Sequence, residues 1–507
     1  MKKIIAFCLA LVLGASLVVV FAACNNKPLA DFEIPPEGYD GKPVTIKFYS
    51  SMGQGYDAIL NDYLVEFNEL FPNINIEHKR IGDYTSVRDQ IKTELGSGQS
   101  PNVAFCYSDH VAMYNKSKAV VPLDDLIASD IKVTYANGET DILGLKKEQK
   151  DDFIQTYYEE GKSFGDGKMY MLPFAKSTEL MYYNVEAFDA IKAKYPGFDV
   201  PDHWFATDGE EGLKTTDRTS MEFALAAIKE YDGNCVPLGY DAGDNWIITL
   251  FEQYQSGYTQ ATGDHYLFNT EKNHEILATL RRWFKNNWFT TKGLLGGNTY
   301  TSTYFTSTSS AQGKKCYISI GSSAGARNQV PKEQDGEYPF TVGVAMIPQK
   351  DPGMTNAAGV ENFDYSKCKV ISQGPSICIF NSANPQEVVA SWLLVKFLTT
   401  NAGFEARYGM EAGYLPVIQS VNSIKSYQNA IKNADTAKNM SGMAAKLCIE
   451  YREAFFVSPA FYGSAEARDQ MASLLEAVCT KVTGTTQEQI MEGIRQQFKI
   501  ALDKCNE

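Results

Sequence analysis

Apolar residues recur along this chain with a period that changes from segment to segment. Behind two lysines runs an almost unbroken apolar stretch, Ile4 to Phe21. From Val44 the period falls to two in VTIKFYS (44–50), which predicts a strand. Ile59, Leu60, Tyr63, Leu64, Phe67 and Leu70 then recur at helical spacing until Pro72 stops the helix. INIEH (74–78) predicts a second strand, and Val87, Ile91 and Leu95 mark one face of a second helix, closed by Gly96. NVAFCY (102–107) is mostly apolar and predicts a strand buried on both faces. Strand, helix, strand, helix, strand is the order of a parallel sheet with crossover helices. Much later, Asn384 offers an N-cap, Pro385 suits the first helical position, and Glu387 completes a capping box. Val388, Val389, Trp392, Leu393 and Phe397 follow at helical spacing, which puts Trp392 in the core. Residues 132–149 and 201–217 are polar and turn-rich and read as surface insertions. Residues 293–313, dominated by Thr, Ser and Gly, read as a loop able to order over a ligand.

The first apolar run is followed by Ala22-Ala23-Cys24 and a polar Asn25-Asn26-Lys27. Basic, apolar and then small residues form an export signal with its cleavage site, so the mature chain is expected to work outside the cytoplasm. The stretch resembles bacterial lipoprotein signals, in which the cysteine after the cut accepts the lipid, although Phe21 stands where Leu is usual. That resemblance implies a lipid on Cys24 and an address on the extracellular face of the cell membrane. A retained anchoring helix is the alternative, because the run is near bilayer-spanning length. Residues 1–23 are thus read as signal, and residues 24–42, with Pro28, Pro35 and Pro36, as a lipidated cysteine and flexible tether.

The 484 residues from Cys24 onward are enough for two or three lobes. The signal holds two of the 47 basic residues and none of the 61 acidic ones, which leaves the mature chain at a net charge of −16. So acidic a chain is poorly suited to nucleic acid, whose binding depends on neutralising phosphates. With 29 Tyr and 28 Phe, most rings must build core, yet an excess of Tyr and Trp also suits stacking on sugar faces. Beyond Cys8 and Cys24 there are eight cysteines, none in a C-x-x-C pair. An even count outside the cell permits disulfides, but a chain this long does not need them for stability and the sequence singles out no bridge. The five histidines show no zinc-ligand spacing, so no metal and no cofactor is expected.

Two motifs mislead. Gly321-Ser322-Ser323-Ala324-Gly325 fits the nucleophile elbow of α/β-hydrolases, but that fold needs its histidine after the serine, and the last histidine is His274. Gly53-Gln54-Gly55 follows a strand as in a dinucleotide fingerprint, but Ser50-Ser51-Met52 intervenes where the tight turn should begin.

Four longer segments carry a resemblance. PNVAFCYSDHVAMYNKSKAVVPLDDL (101–126), KMYMLPFAKSTELMYYN (168–184), YFTSTSSAQGKKCYISIGSSAG (304–325) and ISQGPSICIFNSANPQEVVASWLLVKFLTT (371–400) resemble, in this order, motifs of the sugar-type (family 1) extracellular solute-binding proteins of bacterial ATP-binding-cassette importers. Departures are Ala324 for a frequent tryptophan, Asn102 for Asp and Lys118 for Gly. A late Gly413-Tyr414-Leu415-Pro416 matches their G-x-x-P turn. The resemblance implies an α/β, two-lobe periplasmic-binding-protein-like fold (type II), each lobe a mainly parallel sheet flanked by helices, with the ligand between them. It implies chain crossings near residues 174–177, near 347–350 and after Pro416. Lobe 1 would then comprise residues 43–174 and 349–420, and lobe 2 residues 175–348 and 421–507. The partners implied are a small-molecule ligand of the sugar or oligosaccharide class and the importer's permease subunits, with the membrane touched only through the lipid.

In this scheme strand ends supply the ligand contacts. The candidates are Ser51 and Gln54 after the first strand, then Tyr107, Ser108 and Asp109 after the third. Ser177, Thr178 and Glu179 follow beyond the first crossing, and Asp244, Asn245 and Trp246 lie in GYDAGDNWII. Ser322 and Ser323, together with Gln373, complete the set. Asp109, Glu179 and Asp244 are expected to accept hydrogen bonds from ligand hydroxyls, with Trp246 stacking on a ring or else opening a buried helix. Two rivals remain: a surface carbohydrate-active enzyme, and a solute-binding protein for a non-sugar ligand.

Overall fold

The computed structural model describes residues 29–507 apart from 52, 54, 55, 310, 357, 358 and 435–438. Cys24, the signal and Gln54 lie outside the described residues. Along the chain come β1 (Val44–Ser50), α1 (Asp57–Leu70), β2 (Ile74–Arg80), α2 (Tyr84–Ser97), β3 (Val103–Cys106), α3 (Ser108–Tyr114) and β4 (Leu172–Pro173). A second set follows: β5 (Glu179–Asn184), β6 (Leu238–Tyr240), α4 (Gly243–Gln253), β7 (Phe289–Thr291), β8 (Ile318–Ser322) and β9 (Val342–Met346). The chain then returns as β10 (Ser376–Ile379) and α5 (Pro385–Thr400), and its last two helices are α6 (Ser464–Thr480) and α7 (Gln487–Cys505).

These strands build two sheets, one per lobe. The first has the order β2-β1-β3-β10-β4 and the second β9-β5-β8-β6-β7. In the first, β1 runs parallel to β2 and β3, as the helix crossovers dictate, whereas β10 lies antiparallel between β3 and β4. In the second, β6, β7 and β8 run parallel and β5 lies antiparallel between β8 and β9, so β9 runs in the same direction as the other three. Four of the five strands in each sheet thus share one direction, so the sheets are mainly parallel as expected, each mixed by a single reversed strand. Strands that enter a lobe directly from the other arrive without a crossover helix and run against the rest. Ile46, Phe48 and Phe105 anchor the core of the first lobe, with Phe48 edge-on to Phe105 at 5.5 Å.

Local details depart from the sequence in a few places. The left-handed residue that ends α2 is Gly98 (φ 70°), two residues past Gly96. Asn384 caps α5 by accepting from the Gln386 N–H, but Glu387 turns away from the expected box to accept from Ser382 Oγ and Asn102 Nδ2. The insertion at 132–149 holds a two-stranded hairpin and buries Val133, Leu143 and Leu145. Residues 30–42 lie against the first lobe, where Gln386 bonds to Gly38 and Asp40 and Asn381 bonds to Ala30. All eight described cysteines are buried and unbridged.

Candidate ligand-binding cleft

Three stretches of chain lie side by side where the lobes meet. Ser177 and Gln373 exchange backbone hydrogen bonds of 2.9 and 2.8 Å, and Lys176 and Leu415 exchange bonds of 2.9 and 2.6 Å. Gly374, with φ 87°, passes so close to the neighbouring stretch that a Cβ there would sit 2.3 Å from Ala175 O, so only glycine fits. Under this seam the buried Lys176 pairs with Glu160, while Ser372 Oγ donates to Glu160 at 2.6 Å.

Above the seam opens a cleft of two connected compartments. The inner one has a volume of about 270 Å³ and the outer one about 1370 Å³, and Tyr84, Tyr107, Tyr300, Ala242, Gln373 and Gly374 border both. Tyrosines dominate this border. The rings of Tyr84 and Tyr107 are 4.7 Å apart, and the Tyr84 hydroxyl meets that of Tyr414 at 3.1 Å. Strand order explains the location. Tyr107 leaves the C-terminal end of β3, Asp241 and Ala242 leave that of β6, and Ser322 ends β8, so both lobes turn the same sheet edge toward the cleft.

One arginine ties the walls together at the inner compartment. Arg468 on α6 donates through Nε to Asp109 at 3.2 Å, and through Nη1 to Asp244 at 3.3 Å and Asn245 at 2.6 Å. Its neighbour Asp469 pairs with Arg88 of α2 at 2.9 Å. Burial would weaken the Arg468 charge, but Asp109 and Asp244 outweigh it and hold the guanidinium more firmly protonated than usual. Burial pushes His110 down to about 4, so it stands neutral at physiological pH. On the opposite wall, burial pushes Glu179 up to about 8, although it accepts from the Tyr240 hydroxyl and, at 3.3 Å, from Asn245 Nδ2. Asp241 is also raised by burial while taking two bonds from Thr301.

A fold with two such lobes and a cleft between them has known relatives. The family described as bacterial extracellular solute-binding protein matches residues 62–435. The chain belongs to that family. A curated relative, an uncharacterized lipoprotein in the oleD 5' region of Streptomyces antibioticus, is 25% identical over 191 residues, covering 38% of this chain and 36% of that protein. The chain thus spans about a third of the length of the curated relative it matches. Among solved structures, the GacH receptor of Streptomyces glaucescens, studied unliganded and with acarbose, superposes with a TM-score of 0.62 at 14% identity, covering 90% of this chain and 98% of that one. Lmo0181 of Listeria monocytogenes, in complex with cycloalternan, gives 0.65 at 13% identity over 91% and 100%. UgpB of Mycobacterium tuberculosis, in complex with glycerophosphocholine, gives 0.62 at 16% over 92% and 100%. At these identities the likeness is one of fold.

Within this solute-binding protein, nine of the residues singled out from sequence line the cleft. Tyr107, Ser108, Asp109, Asp244, Asn245 and Gln373 border the inner compartment, and Ser177, Glu179 and Ser322 the outer one. Trp246 does not line it. It is fully buried, stacked on Tyr240 at 4.8 Å and edge-on to Phe289 at 5.0 Å, because the first turn of α4 points it back under the sheet. Thr178 and Ser323 are also interior: Thr178 Oγ1 donates to Ile371 O, and the Thr178 N–H donates to Ser323 Oγ. Ser51 is half-buried away from both compartments. Sequence reasoning missed Tyr84, Tyr258, Tyr300 and Arg468. The tyrosines were hidden among 29, and Arg468 is brought in by a helix 359 residues downstream of Asp109.

Proposed function

We propose that this solute-binding protein captures a sugar or oligosaccharide in the interlobe cleft and delivers it to the permease of an ATP-binding-cassette importer. A lipid on Cys24 would hold it at the extracellular face of the membrane, with the nine cleft-lining residues contacting the ligand and lobes divided at residues 174, 349 and 420. The observation that carries this reading is the tyrosine-bordered cleft between the lobes. Its walls offer ring faces and hydrogen-bonding groups of the kind a polyol uses. The neighbours that bind acarbose and cycloalternan support the same class. UgpB with glycerophosphocholine keeps a non-sugar ligand as the second reading.

A thermal-shift screen of the purified chain against neutral saccharides and glycerophosphocholine tests the proposal. Ligand at a hundred times its Kd adds about 2.7 kcal/mol of stability, a readily measured rise in melting temperature. A neutral saccharide should produce that rise and be recovered intact, and stabilisation by glycerophosphocholine alone would move the protein to the second reading. Cleaved saccharide would instead make it a carbohydrate-active enzyme.

A further inference from the structure

The residues ahead of the first strand are pinned to the body. Asn381 Nδ2 donates to Ala30 O at 2.8 Å, and Asn73 Nδ2 donates to Gly41 O at 2.7 Å. Gln386 holds the middle, donating to Gly38 O and accepting from the Asp40 N–H, each at 3.0 Å. Phe32, Ile34 and Tyr39 pack against the hydrophobic core, with Tyr39 edge-on to Phe71 at 6.2 Å. The bonding partners all belong to the first lobe, so residues 30–42 form a strap along it.

A strap shortens the leash. An extended chain advances about 3.4 Å per residue, so a slack run from Cys24 to Val44 would reach about 70 Å, more than the roughly 60 Å width of a molecule this size. With the chain fixed at Ala30, the reach from Cys24 falls to about 20 Å.

The fixed end of the strap marks one edge of the first lobe. The Asn381 that holds Ala30 also donates its backbone N–H to Ala119 O at 2.8 Å, and Asp31 and Phe32 border a surface groove of about 600 Å³ together with Lys116, Lys118 and Tyr462. Leu29, 48% exposed, and Tyr462, 56% exposed, present apolar surface here, and Lys116 Nζ lies 4.0 Å from the centre of the Tyr462 ring. An exposed aromatic beside a lysine suits the headgroup layer of a bilayer, which accommodates both a ring and an ammonium. Charge alone does not draw the edge there, because the groove's Lys116, Lys118 and Lys168 are offset by Asp31, Asp124, Asp125 and Asp166. The leash has to hold it.

We infer that the edge of the first lobe around Ala30 and Lys118, with Tyr462 beside it, is the membrane-facing surface of the protein. The short leash keeps Ala30 within about 20 Å of the lipid headgroups while the rest of the body pivots about that point. This inference rests on the lipid at Cys24 proposed above.

The test uses the lipid-modified full-length chain in vesicles of phosphatidylcholine and phosphatidylglycerol that carry a rhodamine lipid. Lys118→Cys offers an exposed thiol for a fluorescent donor, whereas the eight described native cysteines are buried. Energy transfer to the bilayer should be strong, and equal at low and high salt. Inserting about thirty Gly/Ser residues between Pro28 and Leu29, a run with a mean span of about 30 Å, should cut it by about half or more. Hydrogen exchange should be slowed on the order of tenfold or more at the amides of Gly38 and Asp40, both hydrogen-bonded within the strap. Exchange there at the rate of a free peptide, or transfer unchanged by the insertion, overturns the inference and leaves the lipid on Cys24 untouched. Transfer that vanishes at high salt also overturns it, by making charge the attachment. If the chain takes up no radiolabelled fatty acid at Cys24, the inference falls together with the anchor reading beneath it.

Discussion

Replacing Glu179 by glutamine should stabilise this protein in alkaline but not in acidic solution. Burial lifts the Glu179 carboxyl from its ordinary 4.5 to about 8. Below about pH 4.5 the group carries its proton in the folded and the unfolded chain alike and contributes nothing. Between pH 4.5 and 8 the unfolded chain has released the proton and the folded protein keeps it. The unfolded state then binds fewer protons, so stability falls as pH rises through this window and levels off above it. At about 1.4 kcal/mol for each tenfold difference in proton affinity, the full penalty is about 5 kcal/mol at most. Relaxation of the site should leave about half of that. Glutamine stays neutral at every pH and can still bridge the Tyr240 hydroxyl and the Asn245 amide. Urea denaturation of both proteins from pH 4 to 9 should therefore give curves that coincide near pH 4 and diverge by about 2 kcal/mol or more by pH 8.5. A constant offset across that range would refute the argument, because it would mean that the carboxyl titrates alike in both states.

Three further outcomes are expected. Trp246→Ala should cost about 3 to 5 kcal/mol of folding stability by chemical denaturation, as for a core aromatic, and a loss under 1 kcal/mol would contradict its burial between Tyr240 and Phe289. Lys176→Met should cost about 3 to 5 kcal/mol by stranding Glu160, and adding Glu160→Leu should recover most of it; a double variant as unstable as the single one would show that packing, not charge, is at stake. Cys24→Ala should abolish labelling by radiolabelled fatty acid in cells, and undiminished labelling would place the anchor elsewhere.

The elements that were legible in sequence are those whose information is local. β1, α1 and β3 follow from apolar spacing alone, and Asn384 with Pro385 announces α5 because capping needs only neighbouring atoms. Trp246 could have been read better. Asn245 to Phe251 are buried all round, and Trp246-Ile247-Ile248 carries no polar face, the mark of a helix sunk in the core. Asp109 and Asp244 were found because acidic residues at strand ends are conspicuous. Their common partner was not, since Arg468 lies 359 and 224 residues away and nothing in its own helix marks it as inward-facing. The reversed strand β10 was hidden for a related reason: direction within a sheet depends on which lobe the chain has just left.

The order in which residues are made gives the Arg468 bridge another meaning. Strands β1 to β3 can pair early, but the first sheet lacks β10 until residue 376 has been synthesised, and the cleft lacks its clasp until residue 468. Contacts across such long stretches of chain are slow to form, so the cleft is the last part of the molecule to be finished. A chain truncated or nicked ahead of α6 would keep much of its secondary structure and still fail to hold a ligand. In the proposed binding role, ligand affinity would therefore depend on the chain having been made through α6.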